Sequence, residues 1–527
     1  ISNSTILYIK NSILNEIFVV LESFINDFLH SNITIYINNL KIIHSKLLSA
    51  ILIFPYAAIF DKEDIFSNFN DQKFDELKRK VKIIQLADPI QLQKSFKNIV
   101  RTILVANAAI SKGNEQNSTL LKLLYQNFGC IYYFFEQSKA KQRAQLFYCE
   151  PRPSVTIKVL NMMDEGIYKH AMSLIFPYIK CNMKIYIEQV ENKISLQNLQ
   201  KEILLNTQNK INKIQQKTMH FIRNNIEKYI QELFIKNNEK IKIRILCSEI
   251  IQKYPFQNKQ FFKKIIIHIH GGGFIAMSSR CHQTYTRQWA NKLNIPIFSI
   301  DYKKAPKYPY PEALNDCWQA YNWILNYVQK CFNIKPINIV LVGDSAGGNL
   351  ITSLTLRCIK SGVRYPDGLL LCYPALNLNM KTFTPSILWA LDDQIIPHTF
   401  LQICLDSYIP EHLNVNLQKD PFASPINASY ELLKQFPPVR IMVGSKDPLH
   451  DDCWRFLKRL MFLFYIYIIF IYLLFIFSDI KKDAKLYVYS EMPHGFLNYD
   501  SPNGMKEAKQ CVQDAYLILE ELINYSN

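Results

Sequence analysis

The sequence predicts an α/β protein: a mostly parallel sheet with helices on both faces, preceded by a helical region. Three observations lead there. From about Lys240, short runs rich in Ile and Val alternate with helix-period segments, the pattern of crossover connections. One such run, Ile337 to Val342, passes into Gly343-Asp344-Ser345-Ala346-Gly347 and then into a helical segment, Asn349 to Ile359. Two more loops, His270-Gly271-Gly272-Gly273-Phe274 and Pro493-His494-Gly495-Phe496, each begin just past a predicted strand. Open α/β sheets carry their sites at that end.

Taken in order, residues 1 to about 150 read as helical. Ile17 to Val20 with Phe24, Ile25 and Phe28 has helix-like apolar spacing, and Asp88-Pro89 marks a turn or helix start. Asp61 to Asp71 reads as a loop and Met183 to Ile187 as a short strand. Apolar residues recurring from Ile211 to Leu233 predict a long amphipathic helix. Beyond it the predicted strands are Ile241 to Leu246, Ile265 to Ile269, Ile297 to Ile300, Ile337 to Val342, Leu369 to Cys372, Val439 to Val443 and Leu486 to Tyr489. Helices are expected at Tyr285 to Leu293, Pro311 to Tyr327 and Asn349 to Ile359. The apolar stretch Pro385 to Ser407 falls in a long gap between strands and is read as a cap over the site. The domain division is therefore 1–239, helical, and 240–527, catalytic, with an apolar insert at 460–478.

Composition narrows the function. The 527 residues are 49% hydrophobic and 20% charged, as in a globular chain. The net charge of +17 comes from lysines scattered among Asn and Ile, with no basic block interleaved with aromatics, so nucleic acid is not an expected partner. Attraction to an anionic lipid surface fits the charge. The 12 cysteines form no Cys-x-x-Cys pair, so neither a metal site nor a disulfide framework is expected. Residues 1–30 lack the pattern of a secretory signal.

The chemistry centres on Ser345. Gly-x-Ser-x-Gly between a strand and a helix is a nucleophile elbow, in which Gly343 and Gly347 flank a turn too tight for side chains. The triad order is then Ser345, an acid after the strand Val439 to Val443, and His494. Asp447 is nearest the strand end and is preferred over Asp451 and Asp452, which read as a helix N-cap pair, and over Glu491. The backbone N–H groups of Gly272, Gly273 and Ala346 are the candidate oxyanion donors. His270 and Gly271 are expected to support that loop, His270 through a hydrogen bond. His268 reads as a core histidine. No cofactor or metal is needed for such chemistry.

These motifs resemble the hormone-sensitive lipase family of serine esterases, within the α/β-hydrolase fold. The resemblance runs from about Lys240 to Leu522. It rests on His-Gly-Gly-Gly at 270–273, Ser279-Arg280-Cys281-His282, Asp301-Tyr302 with Ala305-Pro306, Gly-Asp-Ser-Ala-Gly-Gly-Asn at 343–349, Asp420 to Pro425, Asp447-Pro448, and Pro493 to Phe496. It implies hydrolysis of neutral lipids, namely acylglycerols and sterol or retinyl esters, by a cytoplasmic protein peripheral on lipid droplets or membranes. The alternatives are a catalytically weak hydrolase-fold ligand receptor, which the intact His494 motif argues against, and a membrane-anchored esterase of small acyl esters. Residues 1–239 carry no catalytic constellation and are expected to serve substrate access and lipid association. A chain starting near Lys240 is accordingly expected to keep some action on a short soluble ester.

Three departures from the family pattern stand out. Lys307 replaces the usual Glu of Ala-Pro-Glu, losing a carboxylate contact. Only a short link joins Tyr408 to Asp420, where animal members carry a phosphorylated regulatory segment, so hormone-type kinase control is not expected. The run Leu460 to Phe477 separates the acid from the histidine. At about 1.5 Å per residue it nearly crosses a core of roughly 30 Å. A single span there would put Asp447 and His494 on opposite sides of a bilayer. The run is therefore read as a translated intron; a dip into one leaflet and a true span are the alternatives.

Overall fold

The computed structural model describes residues 33–58, 71–149, 151–164, 173–188, 240–251, 253, 262–461, 482–501 and 504–525. The segments 17–28, 61–70 and 211–233 singled out above lie outside the described residues, as does the apolar insert from residue 462.

Among the described residues nine strands form one sheet. They are β1 (Val81–Ile84), β2 (Cys181–Ile187), β3 (Ile241–Cys247), β4 (Lys264–Ile269), β5 (Ile297–Asp301), β6 (Asn338–Asp344), β7 (Gly368–Cys372), β8 (Val439–Gly444) and β9 (Ala484–Tyr489). The spatial order is β1-β9-β8-β7-β6-β4-β5-β3-β2. Every pairing is parallel except β2 with β3 and β3 with β5. The central strands are mostly apolar because both their faces are covered, with buried His268 in β4 and Arg440 in β8 as exceptions. All of β7 and β8 is buried, as is β4 after Lys264. The seven strands predicted after Lys240 are all present, and so is the predicted Met183 to Ile187, which begins two residues earlier.

The helix Gln283–Leu293 follows β4, Glu312–Phe332 follows β5 and Ala346–Lys360 follows β6. Two of them end where the sequence turns left-handed: Asn294 and Asn333 both have φ of 53°. The helix Ala346–Lys360 starts three residues before the periodicity suggested. Its first turn is the glycine-rich motif itself, whose composition hides the period. The predicted cap is present as a 3₁₀ segment, Pro385–Leu391, and a helix, His398–Tyr408.

The N-terminal residues are helical at Ile33–Ala58, Asp71–Arg79, Pro89–Asn114, Thr119–Phe135, Gln137–Cys149 and Pro153–Leu160. Asp88 caps the third of these, its carboxylate accepting from the Ile90 N–H at 2.9 Å, with Pro89 in the first turn. The helical reading of residues 1–150 fails at Val81–Ile84. This segment is a strand that pairs in parallel with β9. Four residues are too few to display a period, and only the partner strand decides their conformation. Among the described residues no helix is long and apolar enough to cross a membrane.

Both outer strands, β1 and β2, precede residue 240, which changes the expectation for a shortened chain. A chain starting at Lys240 leaves the outer edges of β9 and β3 unpaired. It is expected to aggregate on size-exclusion chromatography; a monodisperse, active product would show both strands to be dispensable. By contrast, β8 and β9 are neighbours from Val439 with Ala484 to Gly444 with Tyr489. The helix His450–Met461 already provides the return between them. Deleting Phe462 to Ser478 is therefore expected to spare soluble-ester hydrolysis, and loss of that activity would make the insert part of the working protein.

Candidate active site

Ser345 sits between the end of β6 and the helix Ala346–Lys360 with φ 54° and ψ −119°, a backbone conformation unfavourable for any residue with a Cβ. Its N–H donates to the Cys372 carbonyl at 2.9 Å. Its own carbonyl accepts from Asn349 at 3.2 Å and from Ala375 at 3.1 Å. A Cβ on Gly347 would collide with the backbone carbonyl of Ile269, so the glycine lets the helix start press against β4.

The other two predicted triad residues arrive from β8 and β9, which run side by side. Asp447 lies three residues beyond β8 and is fully buried; His494 lies five beyond β9 and is 5% exposed. Asp447 Oδ2 is 2.8 Å from His494 Nδ1, and His494 Nε2 is 2.9 Å from Ser345 Oγ. Asp447 Oδ1 accepts from the Leu449 N–H at 2.8 Å, which fixes the carboxylate. Because Nδ1 faces a carboxylate, the ring proton is assigned there, leaving the Nε2 lone pair for the serine hydroxyl. Tyr499 Oη donates to the His494 carbonyl at 2.9 Å, and the Tyr373 ring lies edge-on to the imidazole at 4.9 Å. Burial alone would lower the proton affinity of His494. The Asp447 charge and hydrogen bond outweigh it, helped by Asp393 and Asp344, so the imidazole titrates above its ordinary value.

The competing carboxylates lie elsewhere. Asp451 accepts from the Ser386 N–H at 2.8 Å and so holds the cap. Asp452 pairs with Arg455 at 3.1 Å, and burial raises its carboxyl to about 6. Glu491 pairs with Lys446 at 2.5 Å.

The 270–273 loop leaves β4 directly beside the serine: a Cβ on Gly271 would stand 3.1 Å from Ser345 Cβ. Gly272 has φ 108°. Its carbonyl accepts from Ile275 and Ala276, both at 3.1 Å, curling the backbone after it. Ala346 follows the serine at the helix N-terminus, the end that favours developing negative charge. His270 Nδ1 donates to the Gly271 carbonyl at 2.7 Å, and its ring stacks on Tyr302 at 4.4 Å. Burial, with the Lys304 charge, holds this imidazole neutral, well below its ordinary value. His268 lies in the core as expected, 3.2 Å from Ser299 Oγ and 3.3 Å from Tyr285 Oη.

The cap and the helix Pro89–Asn114 line an open cleft of ≈ 1560 Å³ that reaches Pro493, next to His494. Leu92, Phe96, Arg101, Leu388 and Trp389 are among its walls.

Residues 266–462 match the family model described as an alpha/beta hydrolase fold. The chain is 42% identical over 146 residues to hormone-sensitive lipase of Mus musculus, a match covering 28% of this chain and 19% of the mouse protein. It thus spans much less than the full length of these lipases. It is 33% identical over 251 residues to an esterase of Acinetobacter venetianus, covering 48% of this chain and 73% of that esterase. The chain belongs to the hormone-sensitive lipase family of α/β hydrolases. A solved esterase from the archaeon Pyrobaculum calidifontis shares the fold, with a TM-score of 0.51 at 18% identity over 71% of this chain and 92% of that one.

Seen as a member of the hormone-sensitive lipase family, the chain carries site residues that its sequence did not single out. Asp344, quoted only as part of the elbow, accepts from the Gly271 N–H and from Tyr285 Oη, both at 3.1 Å. Asp393 accepts from the Ile395 and Ile396 N–H groups at 2.6 and 2.9 Å, and its charge helps raise His494. Its neighbour Asp392 gave no signal to tell the two apart. Lys307, the departure from the family pattern, lies with Nζ 4.9 Å from the Tyr308 ring centre.

The geometry separates the acids functionally. Asp447→Asn is expected to lower kcat on a soluble ester by roughly 10³- to 10⁴-fold, because the imidazole loses the partner that sets its tautomer. Asp451→Asn and Asp452→Asn are expected to cost less than about tenfold, since they touch the cap and Arg455. Comparable losses in all three would leave the acid unassigned. The base form of His494 is depleted below its pKa, so activity should rise with pH on the acid limb. Since that pKa is raised, the midpoint should lie above the unperturbed value of about 6.5. A midpoint below it would contradict the Asp447 contact.

Proposed function

We propose that the protein is a carboxylic ester hydrolase acting on neutral lipids, chiefly acylglycerols and sterol esters, through a Ser345–His494–Asp447 triad. The observation that carries this reading is the continuous chain Asp447 Oδ2–His494 Nδ1, 2.8 Å, and His494 Nε2–Ser345 Oγ, 2.9 Å, beside a glycine loop. Ser345 attacks the ester carbonyl while His494 takes its proton. The tetrahedral oxyanion is held by the N–H groups of Gly272, Gly273 and Ala346. His494 then returns the proton to the leaving alcohol, and a water repeats the cycle on the acyl-enzyme. Asp447 stabilises the imidazolium in both halves.

The lipid assignment draws on the family and on the size of the cleft, where Leu92, Phe96, Leu388 and Trp389 offer apolar contact for a long acyl or sterol group beside charged residues such as Lys94, Arg101 and Asp393. A lipid-droplet or membrane surface is the proposed setting, with the net positive charge favouring anionic headgroups.

An alkyl fluorophosphonate is expected to label Ser345, and Ser345→Ala to lose label and activity together by roughly 10⁴-fold or more. Retained labelling would move the nucleophile elsewhere. Rates on triacylglycerol, diacylglycerol, cholesteryl ester and a butyrate ester test the substrate class. Activity confined to the butyrate would restrict the protein to small esters.

A further inference from the structure

The stretch Ser279-Arg280-Cys281-His282 carries family resemblance but no part in the chemistry above. Its place in the structure explains it. His282 is fully buried. Its Nδ1 lies 2.9 Å from the Ser278 carbonyl oxygen and its Nε2 3.3 Å from Asp344 Oδ2. The Ser278 carbonyl can only accept, so Nδ1 carries a proton. Nε2 faces the Asp344 carboxylate at ion-pair distance without a hydrogen bond, and the negative charge there favours a second proton on the ring. The groups around it are Asp344, Cys281, the His268 and His270 rings at 5.7 and 5.5 Å, and Tyr285 at 5.8 Å. Burial would strip the proton, but Asp344 outweighs it and holds His282 well above its ordinary value.

Asp344 in turn reaches two ways. Along the chain it is the residue before Ser345. Through space its Oδ1 takes the Gly271 N–H at 3.1 Å, at the head of the glycine loop. The chain six residues beyond that loop is tied by a second carboxylate. Asp301 accepts from the Ser279 N–H at 2.5 Å and from Ser279 Oγ at 2.9 Å, and is itself paired with Lys242 at 2.5 Å. Ser279 and His282 therefore each meet a carboxylate that holds the connection out of β4, Asp344 at the head of the glycine loop and Asp301 at Ser279 beyond it.

We propose that the His282–Asp344 ion pair is a positioning device that sets the glycine loop against the nucleophile, so that the Gly272 and Gly273 N–H groups point at the oxyanion. This rests on the reading of 270–273 as the oxyanion loop. Asp344 acts as the acceptor for Gly271, and His282 keeps that carboxylate ionised and aimed. Neither residue touches substrate. A displacement of about 1 Å in such a loop is worth about 10²-fold in rate.

The test compares Asp344→Asn, Asp344→Ser and His282→Gln with wild type on p-nitrophenyl butyrate, with rates normalised to the fraction labelled by fluorophosphonate. Asp344→Ser removes the carboxylate charge and draws the acceptor oxygen one bond back from Gly271, and is expected to lower kcat about 100-fold with KM within about threefold. Its affinity for an alkyl boronic acid, which forms a tetrahedral adduct on the serine, should fall by a similar factor. Asp344→Asn keeps an oxygen for Gly271 and can donate to a neutral His282, so it should stay within about tenfold of wild type. His282→Gln should fall between the two. Unchanged boronate affinity in Asp344→Ser, or losses in Asp344→Asn equal to those in Asp344→Ser, would overturn the proposal. Should Asp344→Ser not fold, ¹⁵N spectra of histidine-labelled wild type decide. One ring must remain doubly protonated at pH 8 and vanish in His282→Gln, and its absence from wild type would also overturn the proposal. Ser345→Ala runs alongside: an active Ser345→Ala would sink the triad reading, whereas an inactive one with unaffected His282 and Asp344 variants sinks only this inference.

Discussion

Everything at this site depends on one strained turn. A non-glycine residue at φ 54° pays roughly 1–3 kcal/mol in local backbone energy. Ser345 stays there because its neighbours leave it no other conformation. The Cys372 carbonyl takes its N–H, Asn349 and Ala375 hold its carbonyl, and the helix start is wedged against β4 at Gly347. Hydroxyl, imidazole and glycine loop meet only because β4, β6, β8 and β9 run parallel and end at one side of the sheet. The elbow is thus a product of the whole sheet as well as of its five-residue motif.

The core of the sheet was legible in the sequence for a physical reason. Strands covered on both faces are apolar at nearly every position, and Ile265–Ile269 or Leu369–Cys372 admit few other readings. Val81–Ile84 was not legible, because an edge strand with its middle residues exposed has neither length nor pattern to distinguish it from a helical turn. Order along the chain pointed to Asp447, since an acid that ends one strand can meet a histidine that ends its neighbour. Asp344 was visible in the motif, but not what it does. The direction of a carboxylate at a strand end is set by donors 59 and 73 residues away, at Tyr285 and Gly271.

The helices before the sheet pack against the cap. Phe400, on the cap helix, packs edge-on against Phe147 at 5.5 Å and Tyr148 at 5.2 Å. Tyr148 Oη donates to the Gln394 carbonyl at 2.8 Å, and Thr399 Oγ1 to the Tyr148 carbonyl at 2.9 Å. The cap is therefore braced from the N-terminal side, and the cleft wall is shared between residues nearly 300 positions apart, such as Phe96 and Trp389.

The pairing of β1 with β9 has a consequence for how the molecule is made. Val81 lies opposite Leu486, so the first strand of the sheet to leave the ribosome waits for the last. At about 5–20 residues per second, some 400 residues of synthesis separate the two. Throughout that interval the backbone of Val81–Ile84 has no sheet to join. Once β8 has docked, its own outer edge also stands open until β9 arrives. Such long-range closure is slow, and open strand edges invite pairing with other chains. Production of this protein in folded form thus depends on whatever shields those edges during translation.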